Sequence, residues 1–254
     1  MNKKNALDLL RGKLKAGNPS IGSWMQLPSD DIAEIIARSG YDWVAVDMEH
    51  GSISVETLPR IFRTLELGET LPFVRLAENS LKACKDSLDA GAAGLIFPMI
   101  ESSKQLSDAI SFSLWPPNGK RGVAFSRANL FGKLFEDYKE ENSKTFFVAM
   151  IESKKGLDNI DDILSVRGLD AILIGPYDLS ASIGITAEFD KKLFTESINI
   201  IKEACAKHSI PCGMHVVKPN VKDLEFKIQE GFTFLPYSMD TVFLSESSIN
   251  PKKL

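Results

Sequence analysis

Eight short apolar runs, separated by longer amphipathic segments, constrain the fold of this 254-residue chain most strongly. Continuous apolar strands joined through helices are typical of a parallel sheet that is covered by helices. Eight such units predict one closed (β/α)8 TIM barrel, with an open doubly wound sheet as the alternative. The predicted strands are Ser20 to Trp24, Trp43 to Asp47, Pro72 to Leu76, Gly94 to Pro98, Phe146 to Glu152, Ala171 to Gly175, Cys212 to Val216 and Phe232 to Pro236.

The segments between these runs have helical periodicity. In DDIAEIIARSG, Ile32, Ile35 and Ile36 share one face and Gly40 ends the helix. The first 20 residues predict a short amphipathic surface helix, because they lack the continuous apolar stretch of a signal peptide or membrane span. We expect a single domain over residues 1–254, with the segment from Asp240 onward as an added helix or arm.

The segment from Trp115 to Thr145 interrupts the alternation. Its first part contains Pro116, Pro117 and Gly119 and therefore predicts a loop, which is followed by a short helix rich in aromatic and charged residues. Long connections in compact barrels commonly act as lids or oligomer contacts. We expect one of these two roles here.

Charge and cysteine content exclude two classes of protein. The formal net charge of −4 argues against a nucleic-acid binder, which usually carries a basic face. Cys84, Cys205 and Cys212 are odd in number and lack CxxC spacing. They predict reduced thiols in a cytoplasmic protein rather than a disulfide framework or a zinc site.

Polar residues at the predicted strand ends mark the candidate site, because TIM barrels place their catalytic groups at the C-terminal ends of the strands. Glu152 and Asp178 follow adjacent strands, and their oxygen ligands suit Mg²⁺ or Mn²⁺ rather than zinc. His50 is the predicted general base, whereas His208 is expected at the surface. Each residue alone also has a structural interpretation, as a helix cap or an ion-pair partner. The polar strand-end residues are Trp24, Gln26, Asp47, Glu49, His50, Arg75, Glu152, Asp178 and His215.

Several motifs in fixed order resemble the HpcH/HpaI aldolases, the metal-dependent class II pyruvate aldolases. They are GSWMQLPSDDIAEIIARSGYDWVAVDMEHG, PFVRL, DAGAAGLIFPMIES, RGVAFSRA, AMIES and IGPYDLSASIG, from about Gly22 to Leu244. The resemblance implies a (β/α)8 barrel, usually a hexamer built as a trimer of dimers with C-terminal helices exchanged between subunits. It also implies cleavage of a 4-hydroxy-2-oxo acid to pyruvate and an aldehyde, and the reverse condensation, through a metal-stabilised pyruvate enolate.

The resemblance also assigns roles to individual residues. It places the ligands of a divalent metal (Mg²⁺, Mn²⁺ or Co²⁺) on Glu152 and Asp178, and the base on His50, with its basicity raised by Asp89. It places Arg75 where the enolate oxygen is stabilised. Main-chain N–H groups of the Gly175 to Asp178 turn can hold the pyruvate carboxylate.

The resemblance further implies that Trp24 and His215 shape the aldehyde end of the pocket. A protonatable His215 would suit an acidic or polyhydroxylated aldehyde. The chain departs from the family at Met150, where a Gln is common, and at Tyr177, where a small residue often precedes the metal-binding Asp. Both departures concern substrate binding and put the identity of the substrate in doubt.

Two other functions stay open at this point. One is different enolate chemistry on the same site, either a decarboxylating condensation on oxaloacetate or lysis of a CoA thioester. The thioester version ranks lower because the sequence offers no obvious basic groove for the CoA phosphates. The other is a barrel that binds a partner with little turnover, against which the joint retention of His50, Arg75, Glu152 and Asp178 argues.

Overall fold

The computed structural model describes residues 1–250 and residue 252, and in it eight parallel strands close into a barrel in chain order. Each strand pairs with the next along the chain, and the last pairs with the first. The TIM-barrel prediction is therefore confirmed, and the open sheet is excluded. The strands are β1 Ser20–Met25, β2 Trp43–Asp47, β3 Leu71–Arg75, β4 Gly94–Phe97, β5 Phe146–Ile151, β6 Ala171–Ile174, β7 Cys212–Met214 and β8 Phe234–Pro236.

Helices cover the outside of the barrel. Half of the α-helices begin at a Ser or Asn whose side chain accepts a backbone N–H of the first turn, as Ser29, Ser80 and Ser102 do. In the described part of the chain, every helix is too short or too polar to span a lipid bilayer. The helices are α1 Lys3–Lys15, α2 Asp30–Ala37, α3 Leu58–Leu67, α4 Leu81–Ala90, α5 Ser103–Ser113, α6 Phe135–Asn142, α7 Lys154–Asp158, α8 Ile160–Leu164, α9 Pro176–Ser182, α10 Lys192–His208, α11 Val221–Gln229 and α12 Asp240–Ser247, with a 3-10 helix at Arg127–Gly132.

A helix lies at each end of the chain, as predicted. The predicted N-terminal helix is present as α1, and its buried Leu7, Leu10 and Leu14 join the cluster that fills the barrel interior. It therefore closes the N-terminal end of the barrel rather than lying loosely on the surface. The predicted C-terminal helix is present as α12. The predicted arm and the predicted domain also include Pro251, Lys253 and Leu254, which lie outside the described residues.

Alternation along the strands divides the core into an inner and an outer layer. The inner layer contains a stack of aromatic rings, in which Trp43 lies 4.3 Å from Phe234 and 5.5 Å from Phe73 between ring centroids. The outer layer packs against the helices. Because side chains repeat with a period of two, the inner positions continue upward to Asp47 on β2, Arg75 on β3 and the residue after β5, Glu152. The same alternation that fills the core therefore directs these three charged groups into the mouth of the barrel, which is the opening at the C-terminal ends of the strands.

The Trp115 to Thr145 segment is anchored by a buried arginine. Arg121 is fully buried, and its guanidinium donates to the side chains of Asp89 at 2.6 Å, Asn142 at 2.8 Å and Tyr138 at 3.0 Å. Asp89 belongs to α4, so this cluster fixes the long segment to the barrel. The prediction of a lid or an oligomer contact stays a prediction.

Within one chain Asp89 has a different partner from the expected His50, and its role at His50 stays a prediction. Asp89 lies near the end of α4, five residues before β4 starts, whereas His50 follows the C-terminal end of β2 by three residues. These positions are at opposite ends of a parallel barrel. Within one chain, Asp89 therefore binds Arg121 and does not contact His50.

We expect Asp89→Asn to lower the free energy of unfolding by about 3 kcal/mol, because it leaves a fully buried guanidinium without its counter-charge. Urea unfolding measures this. The matched control Asp158→Asn removes an exposed ion pair with Lys154 and should change stability by less than about 0.5 kcal/mol. Unchanged stability of Asp89→Asn, together with a shifted His50 titration, would contradict the anchoring role.

Candidate active site

An ion pair between β2 and β3 organises the mouth of the barrel. Asp47 and Arg75 are paired in register, and Arg75 donates to the two carboxylate oxygens of Asp47, from Nε at 2.9 Å and from Nη2 at 2.5 Å. Both residues are buried. Burial alone would raise the pKa of Asp47, but the hydrogen bonds and charge of Arg75 outweigh it and lower this pKa to about 2.

Asp47 also fixes the turn that carries His50. Its Oδ1 accepts the backbone N–H groups of Glu49 at 3.0 Å and His50 at 3.1 Å, and its Oδ2 accepts from Gln26 Nε2 at 2.9 Å. The sequence identifies Asp47 only as a polar strand end. Its organising role could have been inferred from the alternation in WVAVD and PFVRL, which puts Asp47 and Arg75 on the same inner face.

Three carboxyl groups lie close to this ion pair. Glu152 is 2% exposed, and its Oε1 accepts the backbone N–H of Met99 at 2.7 Å. Burial, with the negative charges of Glu49 and Asp178, raises the pKa of Glu152 to about 7 despite the Met99 hydrogen bond. Burial also raises the pKa of Glu49, whose Oε2 lies 3.1 Å from Arg75 Nη1. Several carboxyl groups therefore crowd the mouth, and the Arg75 guanidinium is the positive charge that faces them.

The donor set fits a cation held by few protein ligands. Among the described residues, no group of three or more His, Cys, Asp or Glu side chains is arranged to hold a metal ion. The two predicted ligands differ in access, since Glu152 is buried and Asp178 is exposed. A Cβ at Gly175 would lie 2.5 Å from Glu152 Oε2, so only glycine leaves room for this carboxylate.

Trp24 and His215 form another part of the mouth. Their ring centroids are 5.2 Å apart, and the Arg75 guanidinium lies 5.2 Å from the Trp24 ring. His215 Nε2 lies 3.2 Å from the carbonyl oxygen of Ser238. Burial lowers the pKa of His215 to about 4, which favours a neutral ring near pH 7 and argues against the expected protonatable His215.

The two departures from the family occupy different environments. Met150 is 5% exposed and packs in the inner core, two residues below Glu152 on the same face of β5. Tyr177 is half-exposed, and its ring packs edge-on against Phe189 at 5.1 Å. His208 bonds Asp161 on the outer helices, as expected for a surface residue. The three cysteines are buried and form no disulfide.

A polar residue outside the predicted set, on α12, supports the residues that follow β1. Asp240 is buried at the start of α12, and its carboxylate accepts the backbone N–H groups of Gln26 and Leu27, both at 2.9 Å. Gln26 in turn donates to Asp47. A chain of hydrogen bonds therefore runs from the C-terminal helix to the central ion pair. The sequence gives no periodic signal for Asp240, because it follows β8 by four residues.

Comparisons with known proteins agree with this geometry. The model of the HpcH/HpaI aldolase/citrate lyase family matches residues 20–247. The 5-keto-4-deoxy-D-glucarate aldolase of Salmonella paratyphi A is 31% identical over 231 residues, which cover 91% of this chain and 90% of that protein. A solved HpcH/HpaI aldolase/citrate lyase family protein from Burkholderia cenocepacia J2315 has a TM-score of 0.89 at 28% identity, covering 94% of this chain and 96% of its own. The solved citrate synthase SbnG has a TM-score of 0.81 at 28% identity, and the match covers 93% of this chain and 92% of that protein.

We expect the metal-free protein to lose stability relative to Glu152→Gln as pH rises from 4.5 to about 7. Over this interval the folded chain keeps the Glu152 proton while the unfolded chain releases it, so stability falls by up to about 1.4 kcal/mol per pH unit. Urea unfolding of both proteins with chelator present, between pH 4.5 and 8, measures the difference. A difference that does not vary with pH would contradict the effect of burial on Glu152.

Proposed function

Because the chain belongs to the HpcH/HpaI aldolase/citrate lyase family, we propose that it is a divalent-metal-dependent aldolase, a carbon–carbon lyase. It cleaves a 4-hydroxy-2-oxo acid to pyruvate and an aldehyde, and it catalyses the reverse condensation. The observation that carries this proposal is the buried Glu152 carboxyl group, which is crowded by Glu49 and Asp178 and faces Arg75.

Glu152 and Asp178 would hold Mg²⁺, Mn²⁺ or Co²⁺. The electrostatics of Glu152 support this, because burial and then repulsion by Glu49 and Asp178 raise its pKa, and a cation between the carboxyl groups would offset both effects. Carboxylate oxygens are ligands suited to Mg²⁺ and Mn²⁺. When bound, the ion supplies a Lewis acid that favours negative charge on the 2-oxo oxygen.

Arg75 stabilises the enolate oxygen of pyruvate. Two of its five N–H groups donate to Asp47, which fixes the plane of the guanidinium, and Nη1 lies 3.1 Å from Glu49 Oε2 without a hydrogen bond. N–H groups of Arg75 therefore remain for the substrate. A donor that is already fixed before the charge develops costs no reorganisation during the reaction. Arg75 therefore acts as a fixed positive charge at the reacting oxygen.

His50 moves the proton. In the cleavage direction the imidazole accepts the proton of the 4-hydroxyl group, the C3–C4 bond breaks to release the aldehyde, and a proton returned to C3 completes pyruvate. Asp47 supports this role by holding the backbone of the His50 turn. The pyruvate carboxylate lies against the backbone N–H groups of Tyr177 and Asp178, which form no backbone hydrogen bond within the described residues.

A second candidate is enolate chemistry on oxaloacetate. The likeness to the citrate synthase SbnG favours it, since that relative covers nearly the whole chain at 28% identity. Both candidates require the same enolate-forming half of the site. They differ in the electrophile, so a screen of aldehydes against oxaloacetate separates them.

We expect the wild-type protein with Mg²⁺, Mn²⁺ or Co²⁺ to exchange the methyl protons of pyruvate for deuterium, because enolisation requires only His50, Arg75 and the metal site. NMR in D₂O follows the exchange. Glu152→Gln should abolish it, and His50→Ala should slow it by about 10²- to 10⁴-fold. The control Glu34→Gln alters an exposed carboxylate on α2 and should exchange at the wild-type rate. No exchange with any of these ions would contradict the proposed function.

We also propose that the protein is a cytoplasmic homo-oligomer, a hexamer built as a trimer of dimers. The long segment supports this, because Phe125 and Phe131 are 71% and 69% exposed and Val123, Leu130 and Leu134 lie beside them in the sequence with exposed side chains. Light scattering should give six times the chain mass, and Phe125→Asp with Phe131→Asp should lower the mass. A monomeric wild type would contradict the proposal.

A further inference from the structure

The wall of the mouth formed by β7, β8 and β1 is left free by the groups that would hold pyruvate. Glu152 and Asp178 follow β5 and β6, and Arg75 ends β3. Gly213 is paired in register with Leu173, which faces the barrel interior, so His215 two residues later also faces the axis. Trp24 and His215 therefore line the part of the mouth that these groups leave open.

The hydrogen bond of His215 fixes which ring nitrogen carries the proton. The carbonyl oxygen of Ser238 can only accept, so Nε2, at 3.2 Å, must donate. In a neutral ring Nδ1 then has a free lone pair and can only accept. Nδ1 forms no hydrogen bond with the described residues and is not enclosed.

The charges that face His215 favour the neutral ring. Burial and the nearby Arg75 guanidinium disfavour the imidazolium, and the hydrogen bond to Ser238 and the carboxylate of Asp47 offset them only in part. Asp47 is already bound to Arg75, so its charge is largely satisfied by that partner. An anionic group at this wall would consequently meet a lone pair instead of a positive charge.

We propose that His215 Nδ1 accepts a hydrogen bond from a hydroxyl group of the aldehyde, so that hydroxyaldehydes are preferred over alkyl aldehydes and over aldehydes that carry a carboxylate there. The Trp24 ring supplies the apolar surface beside this contact. The inference rests on the proposed aldolase function and specifies its substrate class. A neutral hydrogen bond of this kind corresponds to a discrimination of roughly tenfold.

The test compares condensation of pyruvate with glycolaldehyde, acetaldehyde and glyoxylate. The ratio of kcat/KM for glycolaldehyde to that for acetaldehyde should fall roughly tenfold in His215→Leu. It should be retained in His215→Asn, whose amide nitrogen can donate to Ser238 while its oxygen accepts. The control His208→Leu should leave the ratio unchanged, because His208 lies on the outer helix α10. An unchanged ratio in His215→Leu, or a wild-type preference for glyoxylate over glycolaldehyde, would overturn the inference.

A measurement without turnover tests the same point. ¹⁵N NMR of the three histidines should show the His215 ring neutral with its proton on Nε2 from pH 8 down to 5.5, and an imidazolium or an Nδ1-protonated ring at pH 6.5 would overturn the inference. Deuterium exchange of pyruvate by the wild type distinguishes the two levels of failure. Exchange with an unchanged ratio in His215→Leu would overturn only the hydroxyl preference, whereas no exchange would overturn both.

Discussion

The buried ion pair between Asp47 and Arg75 is the interaction on which the site depends. It joins β2 to β3 in register, holds the turn that carries His50, and receives Gln26 from β1. Burying these two charges is possible only because each is paired and hydrogen-bonded. The same pairing fixes the guanidinium that would stabilise an enolate, so the architecture of the mouth and its proposed chemistry share one cause.

The electrostatic balance of the mouth explains why this site suits both a cation and an oxyacid. Arg75 already compensates Asp47, which leaves Glu49, Glu152 and Asp178 without a full counter-charge. A divalent ion would supply that charge and leave positions open for the carboxylate and oxo oxygens of a 2-oxo acid. The wall on the other side is different in character, since it presents an indole and a neutral imidazole. The site thus combines a charged half for enolisation with a less charged half for the electrophile.

Much of this arrangement could be predicted from the sequence, because strand alternation encodes it. The apolar runs give the barrel, and the residues that end the inner rows give the charged mouth. What the sequence did not reveal depends on contacts between distant residues. Asp89 is fixed by Arg121, 32 positions away, and the protonation of His215 depends on burial and on Ser238. The closure of the barrel by α1 likewise depends on packing that an amphipathic pattern alone does not specify.

The central claim, that the carboxyl groups of the mouth bind a divalent ion beside Arg75, is tested most directly by diffraction. Crystals grown with Mn²⁺ and pyruvate should show an anomalous peak in contact with the carboxylates of Glu152 and Asp178, with the oxo oxygen of pyruvate directed toward Arg75. The peak should be lost in Glu152→Gln crystals. A peak at another position, or pyruvate bound at the mouth without a metal, would contradict the account.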